Sequence, residues 1–261
     1  MMRALTIAST GMTAQQLQVE VIANNLANMS TVGFKKSSGE FQDLFYQTFK
    51  AAGTVTESGT LPVGIQVGSG VRPVAVHRRF GQGEVQQTQN PLDLAIEGEG
   101  FFQVTLPDGS TGYTRAGSLK IDAEGRVVTP DGSPIVPNIT IPSDAKTITI
   151  STGGNFSIVQ AGNPTPTQLG VIELARFTNP AGLSSLGKNL YETTAASGEP
   201  ITGAPGQTGL GTILQGAIEG SNVNIAEEMV NMIIAQRAYE VNAKAIQTTD
   251  EMLGMVNNLK R

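Results

Sequence analysis

Cysteine is absent from the 261 residues, which excludes a disulfide framework, a thiolate metal site and a cysteine nucleophile. Tryptophan is also absent, and four tyrosines leave little ring surface for stacking on sugars. The single histidine, His77, rules out the common nitrogen and sulfur metal centres, which draw several ligands from these types. Charged residues make up 15% of the chain with a net charge of −5. The longest basic cluster is His77-Arg78-Arg79, which reads as a solvated strand face, so nucleic acid is not an expected partner. Long apolar runs are missing too. No stretch of about 18 apolar residues exists to cross a membrane as a helix, and Ser9, Thr10, Gly11, Thr13, Gln15 and Gln16 interrupt the amino terminus, so no cleaved signal peptide and no membrane insertion are expected.

The remaining routes to chemistry are weak. His77 has no Gly-x-Ser-x-Gly elbow to serve and stands beside two arginines. Gly98-Glu99-Gly100 has Gln103 where a dinucleotide fingerprint needs its third glycine, and strand pattern follows instead of a helix. Glu97, Glu99, Asp122 and Glu124 are carboxylates without the spacing of a calcium loop or a glycosidase pair. The expectation is a protein that is not an enzyme and holds no cofactor or metal.

What the chain does contain is a contrast between its ends and its middle. Leu5, Ala8, Met12, Gln15, Val19, Ile22 and Leu26 advance by alternating threes and fours, as do Ile225, Met229, Met232, Gln236, Tyr239, Ala243, Ile246, Asp250 and Leu253. That is the period of a helix seam. Asn224 and Glu227 suit a capped start for the second helix, and Lys260 and Arg261 suit the negative end of its dipole. Val230, Ile234, Val241, Met252 and Val256 form a second stripe. Two such helices leave apolar surface uncovered, so they are expected to be covered by further copies of the chain, or alternatively by its own β body.

The middle holds short alternating strands and many of the 31 glycines and 13 prolines. Pro107-Asp108-Gly109-Ser110 predicts a hairpin turn between Phe101-Phe102-Gln103-Val104-Thr105-Leu106 and Gly112-Tyr113-Thr114-Arg115. A second hairpin is expected from Leu119-Lys120-Ile121-Asp122 to Arg126-Val127-Val128-Thr129. Further strands are expected at 139–141, 147–150, 156–159 and 170–177. Residues 46–70, rich in Gly, Thr and Ser, predict an extended connector without regular elements. The fold class is therefore α+β, with long terminal helices, an inserted antiparallel β-rich domain and that connector.

The segment ANNLAN at 23–28, continuing Met29-Ser-Thr-Val-Gly-Phe-Lys35, resembles the amino-terminal signature of the bacterial flagellar rod and hook axial family. Residues 221–253, SNVNIAEEMVNMIIAQRAYEVNAKAIQTTDEML, resemble its carboxyl-terminal helix. Leu44-Phe-Tyr-Gln-Thr48, TLPVGIQVGSGVRP at 60–73 and IEGEGFFQVTLPDGSTGYTRAGSL at 96–119 are most similar to the distal rod branch of the basal body.

The resemblance implies a structural subunit of a hollow drive shaft crossing the periplasm to the outer membrane. Helical segments 1–36 and 217–261 would pair as a coiled coil in the inner tube. Residues 37–72 would be a rod-type connector, and 73–216 an outer β domain. The implied assembly residues are Leu5, Met12, Val19, Ile22, Asn24, Asn25, Leu26 and Asn28 on the first helix, and Ile225, Met229, Met232, Tyr239, Ile246 and Leu253 on the second. The three asparagines would bond to neighbours or cap the helix end. Phe41, Leu44 and Phe45 resemble a short export motif, with packing as their other role. Implied partners are further copies, proximal rod proteins, the hook protein, the surrounding P- and L-ring proteins and the flagellar export apparatus, reached without signal cleavage. The rival expectations are another flagellar axial protein, proximal rod or hook, and a secreted β-rich cell-wall-binding protein.

Overall fold

Helix-forming sequence at both ends becomes two long helices, α1 over Met2–Ala27 and α2 over Ile225–Asn258. They belong to a computed structural model that describes residues 2–53, 55–56, 59–60, 62–161 and 163–258. α1 is rich in Ala, Leu, Gln and Met, which lose little freedom on becoming helical. It ends at a turn in which the N–H of Thr31 donates to the carbonyl of Asn28 at 3.1 Å. α2 starts at the expected cap: Asn224 Oδ1 accepts the N–H of Glu227 at 3.3 Å. Glu227 and Glu228 then place negative charge in the first turn, where the helix dipole favours it. Lys260 and Arg261 lie outside the described residues. With 34 residues, α2 is about 50 Å long at 1.5 Å per residue.

The chain divides into two compact units: Met1–Leu26, Ser37–His77 and Asn224–Arg261 in the first, and Ala27–Lys36 with Arg78–Val223 in the second. Residues 27–36, expected with the first helical segment, thus lie with the β-rich body.

In the first unit, Ser37–Asp43 pairs with Val71–Arg78, Tyr46–Lys50 pairs antiparallel with Ile65–Gly68, and Val55–Thr56 with Gly59–Thr60. The described residues between 46 and 70 therefore include paired strands, which corrects the expectation of a connector without regular elements. Aromatic and β-branched residues are frequent in Tyr46–Lys50 and Ile65–Gly68, and glycine is used where a turn needs it: Gly53 has φ +84° with open space around it.

The second unit centres on a six-stranded antiparallel sheet in the order Ser184–Gly187, Leu190–Glu192, Thr111–Thr114, Phe101–Thr105, Leu174–Arg176, Ile201–Gly203. The expected hairpins are present. Thr111 is opposite Thr105 across the Asp108-Gly109 turn, and Lys120–Ile121 pairs with Val127–Val128. Ala145–Ile150, Asn155–Gln160 and Asn163–Val171 form a separate three-stranded sheet. Two expectations need correction. Residues 139–141 contribute a single bridge, Thr140 to Arg126, and 170–177 is cut in two because Ile172 donates its N–H to Gly154 while Leu174–Arg176 joins the six-stranded sheet.

Both faces of this sheet are covered, so its central strands are buried without alternation. Phe102 and Val104 enter a cluster with Leu94, Ile96, Ile172, Leu174 and Ile213. Phe101 on the opposite face meets Phe80, Phe177 and Tyr191 edge to face, with centroids 5.4, 5.7 and 6.0 Å away.

Candidate functional site

The two helices of the first unit touch near one end and again near the middle of α1. Asn25 in the last turns of α1 donates from Nδ2 to Glu228 Oε2 in the first turn of α2, at 3.2 Å. Farther along, a Cβ on Gly11 of α1 would lie 3.0 Å from Asn242 Nδ2 of α2. The helices consequently run in opposite directions. Their buried residues are mostly small or polar, with Val21 and Ile22 as the larger apolar members: Ala8, Ala14, Val21, Ile22 and Asn25 on α1, and Glu228, Ala235 and Thr249 on α2. Gln18 Oε1 is buried without a hydrogen-bond partner among the described residues.

The residues expected to assemble the protein divide between this seam and solvent. Ile22 is buried, and Leu5, Met12, Val19, Leu26, Met232, Ile246 and Leu253 are half-buried. Ile225, Met229 and Tyr239 are exposed instead. They join Val230, Ile233, Ile234, Val241, Met252, Met255 and Val256, which are exposed as well. The seam within the chain thus combines small residues that allow close approach with Ile22 and half-buried leucines and methionines, while much of the large apolar surface of α2 is exposed.

The asparagines have separate fates. Asn25 is 1% exposed, and besides its bond to Glu228 its amide brackets Ser37, accepting that residue's N–H at 2.8 Å and donating to its carbonyl at 2.9 Å. Asn28 Oδ1 accepts the hydroxyl of Thr31 at 3.2 Å, and Asn24 is exposed. Of the export-motif residues, Phe41 and Leu44 are half-buried, and Phe45 is 93% exposed at the base of the ribbon. Tyr46, Phe49, Val63 and Ile65 continue this exposed apolar surface.

Sequence reasoning missed a buried ionic cluster in the second unit. Lys35 Nζ and Arg115 Nε donate to the two oxygens of Glu219 at 2.6 and 2.7 Å, and the Glu219 side chain is fully buried. Arg115 also donates to the carbonyls of Gly100, Ile96 and Gly98, so the Gly-x-Gly segment grips an arginine. Burial pushes the Glu219 carboxyl up, but Arg115 and Lys35 outweigh it and hold it below the ordinary range. For Lys35 burial dominates and lowers its pKa, against the attraction of Glu219. Lys35 belongs to the quoted Val32-Gly33-Phe34-Lys35 stretch, in which Gly33 adopts φ +69° with room for no Cβ. The visible signal was a charged residue ending an apolar strand, Ala217-Ile218-Glu219, and that pattern alone does not reveal a partner.

A cleft of about 420 Å³ beside this cluster is lined by Lys35, Phe80, Phe101, Arg115, Arg176 and Phe177. Its buried arginine is already engaged by four acceptors, which makes it a structural cation. His77 Nδ1 lies 3.3 Å from Glu40 Oε1. Asp122 accepts from Arg126 and from the N–H of Glu124 inside a turn. Among the described residues no group of three or more His, Cys, Asp or Glu is gathered as a metal site, and no helix is long and apolar enough to cross a membrane.

Three family profiles match the chain. Residues 5–35 match "Flagella basal body rod protein", 95–158 "Flagellar hook protein FlgE/F/G D1 domain" and 214–259 "Flagellar basal body rod FlgEFG protein C-terminal". The flagellar basal-body rod protein FlgG of Borreliella burgdorferi is 54% identical over 264 residues, covering 100% of both chains. The protein of that name from Caulobacter vibrioides is 48% identical over 261 residues, covering 99% of this chain and 100% of its own. That of Bacillus subtilis is 39% identical over 268 residues, covering 100% of both.

Proposed function

Because the chain belongs to the flagellar basal-body rod protein family, we propose that it is the structural subunit of the distal rod. It polymerises into a rigid hollow helical drive shaft that transmits motor torque across the periplasm to the hook and conducts exported subunits. One observation carries the reading: similarity to rod proteins runs the whole length of the chain, including the helix whose outer face is left apolar. Large apolar side chains left exposed at 225–241 and 252–256 of one helix are surface that association removes from water.

In this reading α1 and α2 pair as a coiled coil that lines the inner tube, with the β-rich body outside. Ile225, Met229 and Tyr239 join neighbouring copies, while Met12, Val19, Ile22 and Leu253 serve the pair within one chain. The protein is not an enzyme. Its partners are further copies, the proximal rod proteins, the hook protein, the P- and L-ring proteins and the export apparatus, for which Phe41, Leu44 and Phe45 are the contact. It leaves the cell without signal cleavage and resides in the rod between periplasm and outer membrane. The ribbon at 46–68 wedges between adjacent subunits and blocks the sliding that bending requires.

Electron microscopy of the concentrated protein tests the assignment: straight tubes are expected, and a chain that stays a fully ordered monomer at all concentrations refutes it. Deleting residues 51–62 should yield bendable or overlong rods, whereas straight rods of normal length after the deletion would refute the wedge.

A further inference from the structure

The contact between α1 and α2 raises a question of register. Asn25 lies 14 residues after Gly11, and Asn242 lies 14 residues after Glu228. The two contacts, Asn25 with Glu228 and Gly11 with Asn242, are therefore related by two heptads on each helix. An antiparallel pair slipped by one heptad would present a similar face. The other buried apolar residues, Ala8, Ala14, Val21 and Ile22 on α1 and Ala235 on α2, discriminate less sharply between registers, because one apolar contact can replace another at the cost of packing alone.

Asn25 breaks that degeneracy. Both hydrogens of its amide are used, one on the Ser37 carbonyl at 2.9 Å and one on Glu228 at 3.2 Å, while its oxygen accepts the Ser37 N–H at 2.8 Å. Glu228 is itself only 4% exposed. A slip of seven residues brings Asn25 opposite Ala235, which offers no side-chain acceptor, and takes its donor away from the buried carboxylate of Glu228. Removing a buried polar group's partner costs far more than exchanging one alanine contact for another.

We propose that the Asn25 amide, clamped between Ser37 and Glu228, is the residue that fixes the register of α1 against α2, and with it the geometry each subunit brings to the polymer. The proposal rests on the rod reading only for the material on which it is measured.

The absence of native cysteine makes disulfide trapping clean. In the full-length chain, Gln18→Cys with Ala235→Cys reports the observed register, and Gln18→Cys with Asn242→Cys reports a seven-residue slip. Sedimented polymer is oxidised mildly and the cross-linked fraction is read on a denaturing gel. With Asn25 and Glu228 intact, the first pair should dominate. In an Asn25→Leu/Glu228→Leu background, which removes both polar groups together, the ratio of slipped to native cross-link should rise about tenfold, the factor expected for one lost buried hydrogen bond. Asn25→Ser, which keeps a small polar seam and removes the amide, should shift the ratio in the same direction and covers the case in which the leucine chain fails to assemble. An unchanged ratio in either background overturns the proposal. Failure of the unsubstituted chain to sediment at all counts against the rod reading, and native cross-linking in its soluble form would still score the register.

Discussion

In the second unit Leu94, Ile96, Phe102, Val104 and Ile213 are sealed from solvent, while in the first Ile234, Val241, Met255 and Phe45, of similar size and chemistry, are more than half exposed. One unit closes its core with its own strands and pins two ends of its chain with Lys35, Arg115 and Glu219. The other presents a helix pair that buries mainly small and polar residues together with Val21 and Ile22, and leaves many large apolar residues of α2 exposed. The comparison teaches that apolar residues in one chain serve two stabilities: the fold of the subunit, and the association of subunits.

The largest effect is expected from charging the exposed apolar surface of α2. Ile234→Asp with Val241→Asp should abolish sedimentable polymer, yet leave the calorimetric unfolding of the β-rich unit where it was, because neither residue belongs to its core. A shift in that transition would mean that the two stabilities are not separate. Next in size, Phe102→Ala removes a fully buried ring and should cost the second unit about 4 kcal/mol in urea unfolding.

Glu219→Gln should cost the second unit about 3 kcal/mol, since two buried cations lose their carboxylate. It also alters the pH dependence. The folded carboxyl is held below its ordinary pKa. The unfolded chain therefore takes up a proton first as pH falls below about 4.3, and the stability from this group is lost between there and the depressed value. The Gln variant should show a flatter acid limb in thermal melts at pH 3 to 7, and an unchanged slope would mean that other carboxylates dominate. The smallest effect is expected at the turn at 122–126, where Asp122→Asn, despite the 2.7 Å bond from Arg126, should leave the urea midpoint nearly unchanged, because an asparagine oxygen still accepts the N–H groups of Glu124 and Arg126 and the Arg126 side chain is 41% exposed.

How far the sequence carried the reading depends on whether the signal was local. The cap at Asn224, the Asp108-Gly109 hairpin and the run of both helices follow from neighbours within a few residues, and the structure has them where periodicity and turn chemistry put them. The strands Tyr46–Lys50 and Ile65–Gly68 were hidden because they are short and separated by a glycine-containing stretch, so composition argued against the pairing that they make. Glu219 with Lys35 and Arg115 was invisible for a different reason: the three are separated by up to 184 positions, and a charged residue looks the same whether solvated or paired.

By itself the sequence determined the helical ends, the β-rich middle, the lack of thiol chemistry and an excess of apolar surface at the termini, since each depends on residue type and spacing alone. Only the tertiary structure decided which face of each helix is spent inside the chain. A helix of this kind has more than one apolar stripe, and the choice between them was made by close approach at Gly11 and the buried bonds of Asn25, contacts between segments about 200 residues apart.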